Sequence, residues 1–213
     1  MNLDFSFIFK GFDKNETLLM LAIGTATLCT MITLFAICID FVKYHNPKVN
    51  KKKVNSLVET GSMFLYFLLY VFLMKFKIGL ITIDSKIIEN IIIIMGMILL
   101  IIGCYVNVKG RFILKHNWAN QVTIYHNHTF INTSVYNWIR HPLYASIIWM
   151  LLGGSLIYHS YFAFLSVILM FIPMMYYRAN QEERLLSSEF SEYVTYKQKT
   201  GMFFPKRIYY GKI

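Results

Sequence analysis

Two short clusters of polar residues have the types and spacing to do chemistry. The first cluster, Arg140, His141 and Tyr144, surrounds Pro142 at the start of a long apolar stretch. Proline is favoured in the first turn of a helix, and arginine is common at membrane interfaces. Histidine, however, is a poor helix cap, and a protonated histidine at a helix start opposes the helix dipole. A helix N-terminus is instead suited to bind an anion such as a carboxylate.

The second cluster follows the same apolar stretch. Arg178 and Glu182 are four residues apart, hence one turn apart on one helix face, and Glu183 is adjacent. On a soluble helix such a pair is usually a surface salt bridge of little effect. At the exit from a membrane, ionisable groups that face a bundle interior are costly and are therefore candidates for function. If the apolar stretch folds back on itself, the two clusters meet in a polar pocket.

The apolar stretch between the clusters predicts a helical hairpin. Residues 142–177 contain no Lys, Arg, Asp or Glu. A single helix of that length would extend about 54 Å, which is too long for one bilayer crossing. A break near residues 158–161 instead gives two crossings of about 16–18 residues, at the short end of what can span. Pro173 is expected to kink the second crossing, which a bundle tolerates.

Composition places the rest of the chain in a membrane as well. Hydrophobic residues make up 56% and charged residues 15%, whereas soluble domains average roughly 45–50% and about 25%. Apolar runs at about 17–39, 56–76 and 87–108 predict three more spans, and Gly96 and Gly103 in the third would let a neighbouring helix approach closely. The predicted fold is therefore all-α, an integral membrane bundle of about five transmembrane helices plus a C-terminal amphipathic helix over residues 179–199.

The basic residues indicate an orientation and not a nucleic-acid partner. The net charge is +10, but Lys and Arg lie between the apolar runs and do not form one solvated face. They accumulate in residues 43–53, 109–140 and the tail, and none lies in 158–161. The positive-inside rule therefore places the C-terminus and both polar clusters in the cytoplasm.

Cysteine and histidine patterns predict no disulfide framework and no metal site. Cys29, Cys38 and Cys104 each lie in an apolar run without a CxxC pattern. His126 and His128 have no further cluster of ligands nearby, so an interfacial position is the preferred interpretation.

Two segments resemble the isoprenylcysteine carboxyl methyltransferase family and its phospholipid methyltransferase relatives. They are "TSVYNWIRHPLYAS" (133–146) and "RANQEERLLSSEFSEYVTYKQKTGMFFP" (178–205). The shared pattern is Tyr, Arg-His-Pro-x-Tyr, an apolar hairpin, Arg-x-x-x-Glu-Glu, an aromatic residue, Tyr-x-x-Tyr and a terminal Pro, and the likeness covers about residues 126–206. The matching positions are Tyr136, Arg140, His141, Pro142, Tyr144, Arg178, Glu182, Glu183, Phe190, Tyr193, Tyr196 and Pro205.

The resemblance implies an S-adenosylmethionine-dependent membrane methyltransferase, most similar to the carboxyl O-methyltransferases, that acts on a lipid-like or prenylated acceptor. Its partners would be the lipid bilayer and this acceptor, with neither nucleic acid nor metal. Its membrane would be the plasma membrane in a bacterium and the endoplasmic reticulum in a eukaryote. Residues 1–108 would supply three helices and loops, and residues 109–213 the cofactor-binding methyltransferase core of the same structural unit.

The resemblance also assigns roles to residues. It makes Arg178 and Glu183 catalytic: Arg178 would lie where the acceptor and the methyl group meet, and an arginine fork suits a carboxylate. Glu183 is a candidate base if the acceptor is an amine that must lose a proton. The predicted cofactor-binding residues are Tyr136, Arg140, His141, Pro142, Tyr144, Glu182 and Glu183.

Three departures from the family pattern leave alternatives open. Ser134, Ser146 and Ser191 replace the usual glycines, and because glycine lets backbone approach a ligand closely, we expect a narrower or reshaped cofactor pocket. One alternative is an NADPH-dependent membrane reductase of the sterol-reductase type, which also carries an Arg-His-Pro-like hairpin. The other is a non-catalytic membrane scaffold, which the serines would suit. The glutamate pair and the short chain favour methyl transfer.

Overall fold

The described part of the chain, residues 14–44, 50–53, 60–118, 123–125 and 128–206 of a computed structural model, is almost entirely helical. Short 3₁₀ turns precede and follow the polar loop before the apolar hairpin, at Lys115–Asn117 and Ser134–Asn137. The α-helices, in chain order, are α1 (Lys14–Tyr44), α2 (Thr60–Lys75), α3 (Lys86–Leu114), α4 (Pro142–Ile157), α5 (Tyr161–Ser166), α6 (Ile172–Glu189) and α7 (Glu192–Lys199).

Five apolar helices within the described residues account for the predicted membrane spans. Thr17–Lys43, Lys86–Asn117 and Tyr161–Glu189 are long and apolar enough to cross a membrane. Gly61–Lys75 and Pro142–Ile157 are shorter apolar helices. Large side chains such as Phe35 and Leu169, 69% and 67% exposed, cover the outside of the bundle, as contact with lipid requires. The prediction of an all-α membrane bundle is confirmed.

The hairpin turns where the sequence predicts it, but its second helix is longer than expected. α4 ends at Ile157 and α5 begins at Tyr161. The predicted amphipathic helix over 179–199 is not separate, because the last span continues as α6 to Glu189 and the chain breaks only at Phe190. α6 stays attached to the bundle beyond the apolar run because its polar side is buried, with Arg178 5% and Glu183 1% exposed.

A π-helical segment, Val167–Phe171, joins α5 to α6. It ends two residues before Pro173, which has no N–H and leaves the carbonyl four residues earlier without its helical partner. A π-helical segment acts as one inserted residue and turns the following helix by about 100°. The distortion expected at Pro173 therefore determines which face of α6 carries Arg178 and Glu182.

A two-stranded antiparallel ribbon is the one feature of the described chain that the all-α prediction lacked. β1 (Asn50–Lys53) pairs with β2 (Thr123–Tyr125), with Lys52 opposite Ile124. Ile124 is 1% exposed and packs against Leu185 of α6. Three and four residues are too few to show the alternation that predicts a strand.

α3 and α4 pack backbone to backbone at small residues. A Cβ atom on Gly96 would lie 2.7 Å from the carbonyl oxygen of Gly153, and one on Gly153 would lie 2.6 Å from that of Gly96. Near the other end of the same contact, a Cβ atom on Gly103 would lie 2.8 Å from the carbonyl oxygen of Ser146. The predicted close approach at Gly96 and Gly103 is thus present, and α4 is the helix that approaches.

A buried ion pair attaches α1 to this helix pair. Arg111 Nη1 lies 2.5 Å from Asp40 Oδ2, and the side chains are 9% and 4% exposed. Arg111 Nε donates to Asn107 Oδ1 at 2.8 Å, and Asn107 Nδ2 donates to Ser146 Oγ at 2.8 Å. This network explains why α3 remains helical to Leu114, past the predicted end at 108. The division of the chain at residue 108 stays a prediction.

We predict that Gly153→Ala lowers the free energy of unfolding by about 1–3 kcal/mol, because the new methyl group meets rigid backbone and the helices must separate. Gly24→Ala is the matched control, since a Cβ atom at that exposed position meets nothing within 4 Å. It should be neutral or stabilise by up to about 1 kcal/mol. Unfolding of both variants in mixed detergent micelles measures the difference, and equal effects would contradict the described packing.

Candidate active site

The entry to α4 is fixed by the C-terminal tail. Backbone N–H groups of Arg140 and His141 donate to the carbonyl oxygens of Gly201 and Met202 at 2.8 and 3.1 Å, and Ile139 forms a parallel bridge with Gly201. Pro142 occupies the first turn of α4, where its missing N–H has no intrahelical partner to lose. The chain therefore presents the side chains of residues 140 and 141 from an anchored extended segment.

Tyr144 on α4 connects the two charged groups of α6. Its hydroxyl donates to Glu182 Oε2 at 2.9 Å and accepts from Arg178 Nε at 3.0 Å. Arg178 Nη1 also lies 3.9 Å from Met63 Sδ of α2. The predicted meeting of the two polar clusters is therefore present, with Tyr144 as the direct link.

Glu183 lies behind this layer and holds three cations. Its Oε1 accepts from Arg140 Nε at 2.7 Å and lies 3.3 Å from His141 Nε2, while its Oε2 lies 2.7 Å from Lys197 Nζ. The Glu183 side chain is 1% exposed and the Lys197 side chain 47% exposed. Arg140 Nη1 donates in addition to the carbonyl oxygens of Lys197 and Thr200. This cluster, Glu183 with Arg140, His141 and Lys197, is called the anchor cluster below.

His141 lies between the two carboxylates. Its Nδ1 is 3.6 Å from Glu182 Oε2, an ion-pair distance, and its ring stacks on Tyr144 with centroids 5.5 Å apart. Burial lowers the pKa of His141, but its interactions with Glu182 and Glu183 outweigh burial and raise the pKa above its ordinary value. The geometry thus favours an imidazolium within the site.

A cavity of about 1070 Å³ opens from these residues and has two parts. The first part, called the chamber below, is lined by polar and aromatic side chains between the start of α4, α6 and α7. The second part, called the groove, is an apolar cleft with α2 and α4 as facing walls and α1 beside them. The residues that line the chamber include Tyr136, Arg140, His141, Pro142, Tyr144, Arg178, Glu182, Phe130, Tyr193 and Tyr196.

Two phenols of the chamber have buried hydroxyl groups without a hydrogen-bond partner among the described residues. They belong to Tyr136 and Tyr193, which are 7% and 2% exposed. Burial raises the pKa of each phenol above its ordinary value, so both remain protonated donors. Because buried polar groups are normally satisfied, each of these two hydroxyls needs a polar partner that the described residues do not supply.

The chamber gathers all but one of the residues predicted to form the site. Glu183 is absent from the cavity lining because it faces the anchor cluster instead. Ser134, Ser146 and Ser191 are also outside the lining, so none of the three narrows the pocket with its own side chain. Ser134 has φ +55, which accounts for glycine at this position in relatives.

Sequence reasoning missed the aromatic wall and Lys197, one of the three cations of the anchor cluster. Phe130 contacts the Tyr196 ring edge-on with centroids 5.2 Å apart, and Tyr193 joins the same group. The spacing of Tyr193 and Tyr196 was a visible signal, since residues three apart share a helix face. No comparable signal points to Lys197. It contacts Glu183 because the chain turns at Phe190 and α7 packs back against α6.

Fold and site together define a class: multi-pass helical membrane proteins with a polar chamber at one end of a helical hairpin. The model of the isoprenylcysteine carboxyl methyltransferase (ICMT) family matches residues 93–188. The predicted resemblance to this family is confirmed for residues 93–188, which make up less than half of the chain.

Individual proteins support the same relationship. Protein-S-isoprenylcysteine O-methyltransferase of Saccharomyces cerevisiae is 30% identical over 117 residues, which cover 53% of this chain and 48% of the yeast protein. The chain thus spans about half the length of this curated relative. A solved structure of the eukaryotic intramembrane Ras methyltransferase ICMT shares the fold, with a TM-score of 0.61, 16% identity, and coverage of 88% of this chain and 67% of that one.

We predict a specific pH dependence of stability from His141. Its pKa is raised in the folded protein above the ordinary value of 6.5, so the stabilisation is fully present below that pH and is lost as the pH rises through the raised pKa. The difference in unfolding midpoint between wild type and His141→Gln should therefore be largest below pH 6.5 and shrink in alkaline buffer. His116→Gln, at an exposed position, controls for loss of an imidazole. A difference that grows with pH would show that His141 is held neutral.

Proposed function

We propose that this protein is an S-adenosylmethionine-dependent membrane methyltransferase that methylates the carboxylate of a prenylated acceptor. The observation that carries the proposal is the position of Arg178. Its guanidinium lies where the polar chamber meets the apolar groove, so an anionic head and an apolar tail of one molecule can be bound together. The family match and the yeast relative support the same chemistry.

The chamber fits the cofactor that the family implies. S-adenosylmethionine carries an ammonium, a carboxylate, ribose hydroxyls and an adenine ring. The Glu182 side chain lines the chamber and is 37% exposed, so its carboxylate is available to the ammonium or the ribose. Tyr136 and Tyr193 line the chamber with hydroxyls that have no partner among the described residues, and Phe130 and Tyr196 offer aromatic faces for the adenine.

Charge cancellation explains why the reaction suits this place. Bound S-adenosylmethionine supplies an electrophilic methyl group, and its transfer to a carboxylate converts a sulfonium cation and an anion into a neutral thioether and a neutral ester. Surroundings of low dielectric favour the loss of separated charge, so exclusion of water accelerates the step. The apolar walls of the groove supply that exclusion.

Arg178 binds and orients the acceptor. A carboxylate is ionised near neutral pH and needs no base, but it does need to be held in line with the methyl group, and a guanidinium does this through two parallel hydrogen bonds. Tyr144 fixes the guanidinium at Nε, and Nη1 lies 3.9 Å from Met63 Sδ on the groove side, so the guanidinium is held at the junction of the chamber and the groove.

Glu183 positions the site in this proposal and does not act as a base. An amine acceptor would require removal of a proton. Glu183 is engaged by Arg140, His141 and Lys197 and is outside the cavity lining, so it is poorly placed to accept that proton. Its burial therefore supports a carboxylate over an amine acceptor.

We place the chamber on the cytoplasmic side of the membrane. Lys and Arg accumulate in residues 43–53, 109–140 and the tail, whereas the turn at 158–161 has none. Arg140, at the end of the second of these segments, lines the chamber. The membrane would be the endoplasmic reticulum in a eukaryotic host and the plasma membrane in a bacterial one. A prenylated acceptor anchored in the same leaflet could then reach the groove laterally.

We predict that Glu182→Gln weakens binding of S-adenosylmethionine about tenfold or more, because a charge-assisted hydrogen bond is lost. Isothermal titration in detergent measures this dissociation constant. Glu192→Gln, which makes the same change at an exposed position of α7, should bind as tightly as wild type. Binding of NADPH in place of S-adenosylmethionine would favour the reductase alternative, and binding of neither would favour a scaffold.

We predict that Arg178→Lys lowers kcat for a prenylcysteine acceptor about 100-fold, because the fork that orients the carboxylate is lost although its charge remains. Its dissociation constant for S-adenosylmethionine should change far less. Radiolabelled methyl transfer measures the rate, and release of methanol in mild base identifies a methyl ester. Arg184→Lys, at an exposed position of α6, is the control. A base-stable product would contradict the carboxylate acceptor.

A further inference from the structure

One side chain crosses the apolar groove. Tyr70 of α2 reaches the opposite wall and donates its hydroxyl to the carbonyl oxygen of Leu151 on α4 at 2.7 Å. That carbonyl lies within helix α4, so the phenol adds a second donor to a backbone group of the groove wall. In an apolar cleft such a bond holds the ring in one place, because the alternative is a hydroxyl without a partner.

The hydroxyl of Tyr70 packs tightly against the backbone of α4. A Cβ atom on Gly154 would lie 2.8 Å from Tyr70 Oη. Only a residue without a side chain therefore lets the phenol rest against the helix at this level. No space for an apolar tail remains between the Tyr70 ring and the backbone of α4.

Tyr70 divides the groove into two sections. Between it and the chamber, the walls carry Met63, Phe67 and Ile147. Beyond it, the cavity continues past Met74 and Tyr158. A tail that ends before Tyr70 fits the inner section without change, whereas a longer tail must displace the phenol or pass it on the side of α1.

The distance from the reacting groups to this crossing defines a length. Tyr144 and Gly154 are ten residues apart on α4, which corresponds to about 15 Å along the helix. That is about half of the roughly 30 Å hydrocarbon thickness of a bilayer, or the depth of one leaflet. The inner section therefore matches a single extended tail of leaflet length.

We propose that Tyr70 is a crossbar that sets the tail length of the acceptor. This inference rests on the proposed function, because the tail in the inner section is the apolar part of the molecule whose carboxylate is held by Arg178. Opposite polarity at the two ends of the inner section supports this occupant: a cation lies at the chamber, whereas the walls at the crossing are mostly apolar and carry one satisfied phenol.

The test compares N-acetyl cysteines that carry S-geranyl, S-farnesyl or S-geranylgeranyl tails. Tyr70→Ala opens the groove, so the kcat/KM ratio of geranylgeranyl to geranyl acceptor should rise about tenfold or more. Tyr70→Phe keeps the ring and loses only its hydrogen bond, so the ratio should rise about threefold. General damage to the fold lowers activity on all three acceptors and leaves the ratio unchanged.

Tyr66→Phe is the matched control. Tyr66 lies one turn before Tyr70 on α2, is 3% exposed, and its hydroxyl pairs with Ser166 Oγ at 3.1 Å outside the groove. Loss of the Tyr66 hydroxyl removes a phenol hydrogen bond, as Tyr70→Phe does, and should leave the kcat/KM ratio of geranylgeranyl to geranyl acceptor as in wild type. An unchanged ratio in Tyr70→Ala would overturn the inference, as would an equal change in Tyr66→Phe.

Binding without turnover separates this inference from the proposed function. The shift in Tm that each of the three compounds produces gives a tail-length profile even for an inactive protein. If the compounds bind and are not methylated, the proposed function fails, but the profile still tests Tyr70. A profile that Tyr70→Ala flattens supports the crossbar, and one that it leaves unchanged rejects it.

Discussion

The buried carboxylate of Glu183 is the interaction on which the site depends. It holds Arg140 from the extended segment before α4, His141 at the start of α4, and Lys197 from α7. A carboxylate alone in such surroundings would cost several kcal/mol, so the three cations are required for its burial. In return, the carboxylate fixes three segments that are distant in sequence. The wall of the chamber therefore depends on the compensation of this buried charge by Arg140, His141 and Lys197.

The sequence predicts the hairpin and the meeting of the polar clusters, because an uncharged run too long for one crossing must fold back. It does not distinguish Glu182 from Glu183, since adjacent helical residues differ by about 100° in direction and the π-helical segment changes the phase of α6. Only the structure shows that Glu182 lines the chamber and that Glu183 faces the anchor cluster. The contacts of Lys197 with Glu183 and of Tyr70 with Leu151 likewise join residues of different helices, so no local sequence pattern predicts them.

The serines that depart from the family pattern belong to the scaffold and not to the pocket. Ser146 is fully buried, accepts from Asn107 and donates to the carbonyl oxygen of Leu143. Asn107 in turn accepts a hydrogen bond from Arg111, which forms an ion pair with Asp40. The hydroxyl at 146 thus completes a chain of polar contacts from α1 to α4. A glycine there would leave one amide donor of Asn107 without this partner, so the substitution is matched to its neighbours.

In the proposed function, the two parts of the cavity bring unlike reactants together. A polar cofactor would enter the chamber from water and a carboxylate on an apolar tail would enter the groove from lipid, so neither would cross the medium of the other. They would meet at Arg178, whose Nε is bonded to Tyr144 and whose Nη1 side adjoins Met63. At this boundary the donor cation and the acceptor anion would both be drawn away from bulk water, which would make their neutralisation favourable. The proposal also explains why Glu183 is shielded by its own cations: an uncompensated carboxylate beside the acceptor would repel the anion that Arg178 is proposed to bind.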